Sequence, residues 1–393
     1  IMVLVITFQV RLVDCEPEVN RSRTLYVPYM SVKQKGNSDN ESANASMSVR
    51  TGRECFRALS MPEAVTLASG VYRVRASVPS RSKATADMVQ TDEAFWTIFS
   101  FHFLSGEAFT KADCDAGLTR AVLDATTARR LFGTTDAVGR TVQLDYVDYT
   151  VAGVVADVSM LATAAYAQIW VPYTAAGAEA MSWQNDTMGP MHAIILARSS
   201  ADFDAIREET ELLRKKYNDG LQDVEVFYRG QPDTQLAYLY RRWYAEPDVP
   251  GVMLRYAIVV IILLLVPAVN LSGMTLSRMR RRMAEIGVRK AFGATGGELM
   301  RQVFFENLVL TLLAGIVGLA LSYVATFALN GFLFSNSMNA SLSGETALTP
   351  GMLLSPWAFI AAFAFCLLMN ILSAGIPAWR ASRMNITDAI NQR

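Results

Sequence analysis

The eight residues Gly293 to Met300, GATGGELM, are the nearest approach in this chain to a phosphate-binding loop, and they lack the Lys that such a loop extends to a phosphate. No GxxxxGK[ST] occurs elsewhere, and neither does a GxSxG nucleophile turn or an HExxH zinc helix. The chain has only His102 and His192, and its cysteines, Cys15, Cys55, Cys114 and Cys366, fit no metal-ligand spacing. Three cysteines fall before residue 252, so one bridge is the most they allow and no disulfide framework is expected. Asp87, Asp92, Glu93, Asp113 and Asp115 lack the spacing that pairs two carboxylates on one element, and they read as a solvated face. These residue types point away from catalysis, and no cofactor or metal site is expected on the chain.

The chemistry the sequence does concentrate is electrostatic. Residues 252–276, VMLRYAIVVIILLLVPAVNLSGMTL, form an apolar run with the single charge Arg255, long enough to cross about 30 Å of hydrocarbon at ~1.5 Å per residue. The next stretch carries Arg278, Arg280, Arg281, Arg282, Arg289, Lys290 and Arg301 against Glu285 and Glu298, the surplus that marks the cytoplasmic flank of a span. The large segment before residue 252 then lies on the other side of the membrane. A formal net charge of +0 hides a split, because 11 Lys and Arg and 5 Asp and Glu lie from Leu254 onward and 25 and 31 before it. Basic charge beside spans and an acidic surplus outside exclude a nucleic-acid protein.

Further spans are expected over residues 303–332 and 356–379. The external loop 333–355 between them carries Glu345 and no Lys or Arg, and the cytoplasmic tail 380–393 returns Arg380, Arg383 and Arg393. Residues 1–10, IMVLVITFQV, are too short to span and read as the outer end of a first, truncated span, with a buried strand as the alternative. The fold class expected is therefore an α-helical membrane domain of four spans, with a large extracytoplasmic α/β domain, 11–251, inserted between spans one and two. Arg241 and Arg242 are the exception to the charge rule on the outer flank.

Inside that domain, residues 33–48 are polar and read as a surface loop or hairpin tip. Alternation predicts a strand over Val71–Val78 and a second stretch, Thr141–Val155, folding back around Tyr146–Asp148. Asp124 is placed to cap ATTARRLF and Gly133 to end it. Ser199 and Asp202 have capping-box spacing ahead of a helix presenting Phe203, Ile206, Thr210, Leu213 and Tyr217 on one face. Within the span after the basic stretch, Ala314, Gly318 and Ser322 recur every four residues, a small-residue stripe for helix packing. Met279, Met283 and Ile286 make an apolar stripe among basic residues, Glu285 and Arg289 are an i,i+4 pair, and Gly293, Gly296 and Gly297 break the helix before that span.

Residues Ala284–Ser322, AEIGVRKAFGATGGELMRQVFFENLVLTLLAGIVGLALS, resemble the permease segment of the MacB/FtsX superfamily, which includes lipoprotein-releasing LolC and LolE. The tail PAWRASRMNITDAINQR from Pro377 is similar to the same family's C-terminus. TDEAFWTIFSFHFLSGEAF, AVLDATTARRLFGTTDAVGRTVQL and YTVAGVVADV are similar in order and spacing to the periplasmic core domain of MacB-like proteins. One departure is Asp-Tyr-Val-Asp at 145–148 where the family often has a Gly-containing turn, so this turn must be wider or more strained. A second is the missing ATPase motif.

The resemblance implies an ABC permease subunit in the bacterial inner membrane, without a fused ATPase. ATP and Mg would be bound by a separate ATPase subunit. Met279, Met283, Glu285, Ile286, Gly287, Arg289, Lys290 and Gly293 would form the coupling helix and loop, 277–302, that docks on that partner; an amphipathic helix resting on lipid is the alternative. A second permease, identical or sister, is the other implied partner, and a periplasmic adaptor is one the resemblance allows. ATP-driven motion would pass to the external domain for export or extraction of a substrate. An FtsX-like regulator of a cell-wall hydrolase is the alternative function.

Overall fold

The computed structural model describes residues 2–39, 41–78, 83–243, 245–263, 265–266, 288, 292–293, 295–333, 360, 363–364 and 367–368. They fall into two compact units, one containing Arg11–Val249 and the other 1–10 with Pro250–Leu333 and the described residues beyond 349.

The unit Arg11–Val249 contains three sheets. In the largest, β5 (Tyr72–Ser77), β6 (Lys83–Thr91), β7 (Phe103–Gly106), β8 (Arg120–Asp124), β9 (Thr141–Leu144), β10 (Val147–Val155) and β11 (Ile169–Pro172) run in the order β7-β10-β8-β11-β6-β5-β9. Because β9 also pairs with β10, six of these strands close into a ring, and the small barrel has one appended strand, β7. The ring is mixed: β8 and β10 run parallel, as do β6 and β11, and the other pairs are antiparallel. Inward residues from every strand of the ring, Val74, Met88, Leu123, Leu144, Val151 and Ile169 among them, share one core with Leu131 and Phe132 of the helix Ala125–Phe132.

That helix has the ends its sequence announces. Asp124 accepts a hydrogen bond from the Thr127 amide at 2.7 Å, and Gly133 closes the helix at φ 76. Where β7 joins β10 the backbones come too close for any side chain. A Cβ at Gly153 would stand 2.6 Å from the Glu107 carbonyl, and one at Gly106 2.2 Å from that of Ala152.

The second core lies under two smaller sheets. One is β14 (Asp233–Thr234), β1 (Thr24–Val27), β12 (Met191–Leu196) and β4 (Ala64–Ser69) in that order; the other is β13 (Val224–Phe227), β2 (Met30–Gln34) and β3 (Ala43–Ala45). Leu25, Leu67, Ile195, Val32 and Val226 pack there with Ile206 and Tyr217 of the helix Phe203–Gly220. The Ser199–Asp202 capping box is present, but it closes a 3-10 turn, Ser200–Asp202, that leads into that helix. On the predicted face Ile206, Thr210 and Tyr217 are buried, and Phe203 and Leu213 partly so. The polar stretch 33–48 is a hairpin, with β2 paired to β3 and an exposed tip between them.

One expectation is corrected in this unit. Asp87 and Asp92 are not part of a solvated face: both are buried, because β6 lies inside its sheet and its end abuts β4. Asp113, too, is occupied, as the third residue of a capping box with Thr110. The hairpin turn is narrow, since Leu144 pairs with Val147 and only Asp145 and Tyr146 lie between, at φ 41 and 74. Of the two outcomes expected for this turn, wider or more strained, it takes the second.

In the other unit the helix Met2–Val10 lies against the helix Gly296–Ala328, and the Phe8 and Tyr256 rings meet at 5.5 Å. Residues Val249–Leu263 form a further apolar helix. Gly296 and Gly297 do not break the chain. They occupy the first turn of a 33-residue helix that Thr295 and Glu298 cap reciprocally, while the break falls at Gly293, φ 94. Among the described residues one helical stretch, Leu308–Ala328, is long and apolar enough to cross a membrane. The expected span 252–276 is described over 252–263 and 265–266, and the expected span 356–379 lies largely outside the described residues.

Candidate functional site

Of the residues expected to couple to an ATPase, Met279, Met283, Glu285, Ile286, Gly287, Arg289 and Lys290 lie outside the described residues. Val288 is helical and exposed, and the Phe292 amide donates to its carbonyl at 3.1 Å. Gly293 follows in a left-handed turn. Phe292 is 89% exposed, an aromatic side chain beside the expected docking segment that the stripe of Met279, Met283 and Ile286 does not include.

Ala314, Gly318 and Ser322 lie along the helix Gly296–Ala328. The Ser322 hydroxyl donates to the Gly318 carbonyl at 2.7 Å, and a Cβ at Gly318 would meet nothing within 4 Å. Close approach occurs one residue away, where a Cβ on Gly315 would stand 3.2 Å from the Phe363 ring. The four-residue spacing could not single out Gly315, because small residues fall on several faces of this helix.

In the unit Arg11–Val249 buried ion pairs hold the joints. Asp92 accepts from the Thr66 hydroxyl at 2.6 Å and the Leu67 amide at 3.1 Å, tying the end of β6 to β4. Arg57 reaches Asp92 at 3.4 Å, Glu93 at 2.7 Å and the Val65 carbonyl at 2.6 Å. Burial still pushes the Asp92 carboxyl up to about 6. Glu18 binds Arg21 at 2.7 Å with both side chains buried, and accepts from the Ala164 and Ala165 amides. Arg241 is buried and bidentate on Asp233, with further bonds to the Arg229 and Ala245 carbonyls. The exception to the charge rule on the outer flank is thus half removed: Arg241 is neutralised inside the fold, and Arg242 is exposed.

The quoted aromatic motif from Thr91 builds core. Trp96, Phe101 and Trp170 rings meet at 4.9 to 6.2 Å, and the Trp170 indole donates to the Ala165 carbonyl at 3.2 Å. Cys15, Cys55 and Cys114 are free and buried, with thiols pushed up by burial to about 12, 11 and 12, which leaves them protonated and unreactive. Among the described residues no cluster of His, Cys, Asp or Glu is placed to hold a metal ion.

A cleft of about 410 Å³ opens among β1, β4, β6, β12 and the segment 160–166. Its walls include Tyr26 stacked on Tyr238 at 4.5 Å, and Tyr29, whose ring is 6.0 Å from that of His192. The Ser46 hydroxyl and His192 Nε2 are 2.8 Å apart, two members of a nucleophile-base arrangement. They do not make a catalytic pair. Burial lowers the His192 imidazolium to about 4, too weak a base at neutral pH, and among the described residues no carboxylate orients the ring. The residues of the cleft come from strands far apart in the chain, so no sequence motif announced it.

Comparison with known proteins gives the family. The model of the MacB-like periplasmic core domain matches residues 5–213, and that of the FtsX-like permease C-terminal region matches 257–386. The macrolide export ATP-binding/permease protein MacB of Chromobacterium violaceum is 26% identical over 307 residues, covering 78% of this chain and 43% of the relative. MacB of Escherichia coli K12 is 26% identical over 314 residues with the same coverage, so the chain spans less than half the length of these relatives. The crystal structure of the periplasmic region of MacB from Actinobacillus actinomycetemcomitans aligns with TM-score 0.37 and 18% identity, over 52% of this chain and 90% of that one. With the core-domain match spanning more than half of its residues and the permease match following on the same chain, the protein belongs to the MacB/FtsX-like family of ABC transporter permeases.

Proposed function

We propose that the chain is the permease subunit of a MacB-type ABC system that works by transmitting motion. A partner ATPase binds ATP and Mg and closes. The segment Met279–Ala294 docks on it, the apolar Met279, Met283 and Ile286 seating in the partner's groove while Arg289 and Lys290 meet acidic residues at its rim. Glu285 holds Arg289 in helical register, Gly287 permits close backbone approach, and Gly293 swivels the connection into the helix Gly296–Ala328. Four spans in the bacterial inner membrane carry the motion to the external domain, which acts on a substrate outside the bilayer.

The observation that carries this reading is the order of parts: a periplasmic core domain, then a basic segment, then an FtsX-like permease region, on one chain. The 33-residue helix fits it, because one continuous rod from the Gly293 turn passes displacement along its length without a hinge. The open face around Ala314, Gly318 and Ser322 suits a second permease.

Co-purification of the full-length protein from mild detergent tests the docking. An ATPase subunit accompanies the parent chain and is lost when Ile286 or Arg289 is changed to Asp. Equal recovery of the ATPase with these variants would remove the coupling role from this segment.

A further inference from the structure

The cleft in the external domain has a defined chemical character. Its walls are mainly apolar and aromatic, with Val27, Val71, Val89, Met160 and Ile194 alongside the tyrosines. Among the described residues the charge that lines it, Arg241, is held by Asp233, and the neutral Tyr166 donates its hydroxyl to Asp87 at 2.8 Å. Ser69 is committed as well, donating to the Gly70 carbonyl at 3.0 Å and accepting from the Gln90 amide at 2.9 Å. What remains for a ligand is ring surface, the Thr163 hydroxyl, which is buried without a hydrogen-bond partner, and an adaptable polar pair, Ser46 with His192, which can present either a donor or an acceptor. Among the described residues an anion would find no free cation there, and a cation no free carboxylate, so either would lose its hydration without replacement. The volume, about 410 Å³, is at the lower end of small-molecule sites.

We propose that this cleft is a binding site for a small uncharged amphiphile carrying an aromatic ring, stacked against Tyr29 and Tyr238 with its polar group on the Ser46–His192 pair. The inference is independent of the transport reading, since it concerns equilibrium binding to the external domain and no step of ATP hydrolysis.

Gly70 supplies the test. It lies at the wall with an unstrained backbone, and a Cβ there would have the His192 ring carbon as its nearest neighbour, at 3.8 Å. Gly70→Leu therefore fills the cleft from its rim without forcing the backbone. Full-length protein in lipid nanodiscs is titrated calorimetrically with 2-naphthol and, separately, with 2-naphthalenesulfonate, which adds a negative charge to the same ring. Empty nanodiscs correct for partition into lipid. The parent binds 2-naphthol saturably at one site per chain and the sulfonate at least about tenfold more weakly. Gly70→Leu weakens 2-naphthol at least about tenfold while melting with the parent, and Gly220→Leu, on open space at a helix end, binds as the parent does. Gly70→Ala, a milder filling, gives an intermediate loss and guards against misfolding of the larger variant. Absence of saturable binding to the parent, equal affinity for the sulfonate, or undiminished affinity in folded Gly70→Leu would each overturn the proposal.

Discussion

Arg241 stands where the topology expected from the sequence disfavours a basic residue, and the fold buries it against Asp233. Such a pair adds little compared with apolar residues of similar volume, but breaking it leaves a charge inside the protein. Arg241→Ala is expected to cost about 3–5 kcal/mol in chemical denaturation, and Arg241→Met with Asp233→Leu to recover most of it. The titrating groups act in opposite directions. Burial lifts the carboxyls of Asp92 and Asp124 from 3.8 to about 6, so in the window between, the folded chain holds protons that the unfolded chain has released. Their contribution is present at low pH and is lost as pH rises to about 6. His192, lowered from 6.5 to about 4, does the reverse: the unfolded chain takes up the proton first, and stability is lost as pH falls through that window. Removing the imidazole with His192→Asn leaves the carboxyls alone, so the melting temperature of the variant relative to the parent rises between pH 7 and pH 5. Parallel curves would show that His192 titrates normally. The titrations were not readable from the sequence, because Asp92 and His192 acquire their environments from strands distant in the chain, and the cap that Asp124 announces does not reveal its burial.

At the scale of elements the local rules were legible and the long-range pairings were not. Asp124 and Gly133 delimit their helix as their types require, and β5 alternates as its sequence does. Closure of the ring through β5 and β9, and the contact of β4 with the end of β6 that buries Asp92, depend on register between strands up to 68 residues apart, as in Ala76 opposite Leu144. The start of the helix at Gly296 was available in the sequence as a Thr295–Glu298 capping box, but two adjacent glycines argued the other way and the cap prevailed. The β9–β10 hairpin offers a test of strain. Asp145 and Tyr146 both hold positive φ, a conformation suited to Asn-Gly, and Tyr146 recovers only a contact with the Arg75 guanidinium 5.4 Å from its ring. Replacing the two with Asn and Gly is expected to stabilise the external domain by about 1 kcal/mol, read from its denaturation midpoint, because a bulky residue in the left-handed region costs ~1–3 kcal/mol. A loss of stability would mean that the contacts of Asp145 and Tyr146 with Arg75 outweigh the strain.

For the molecule as a whole, hydropathy and charge anticipated a soluble-type domain placed before a membrane-spanning region, and the matched families, periplasmic core domain then FtsX-like permease, fall in that order. What composition could not reach is the proposed coupling between them, since a motion leaves no periodicity. The account stands on the claim that nucleotide state in a partner ATPase changes the arrangement of the external domains. Cys15, Cys55 and Cys114 are buried, so a spin label on Lys216→Cys, at an exposed position of the helix Phe203–Gly220, can be introduced selectively once Cys366 is replaced by Ser. The decisive measurement is the label-to-label distance between two permeases, in nanodiscs with the ATPase bound, without nucleotide and with trapped ATP. The account predicts distinct distance distributions for the two states, collapsing to one when Ile286 is changed to Asp. A single distribution in both states, with the ATPase bound and hydrolysing, would contradict it.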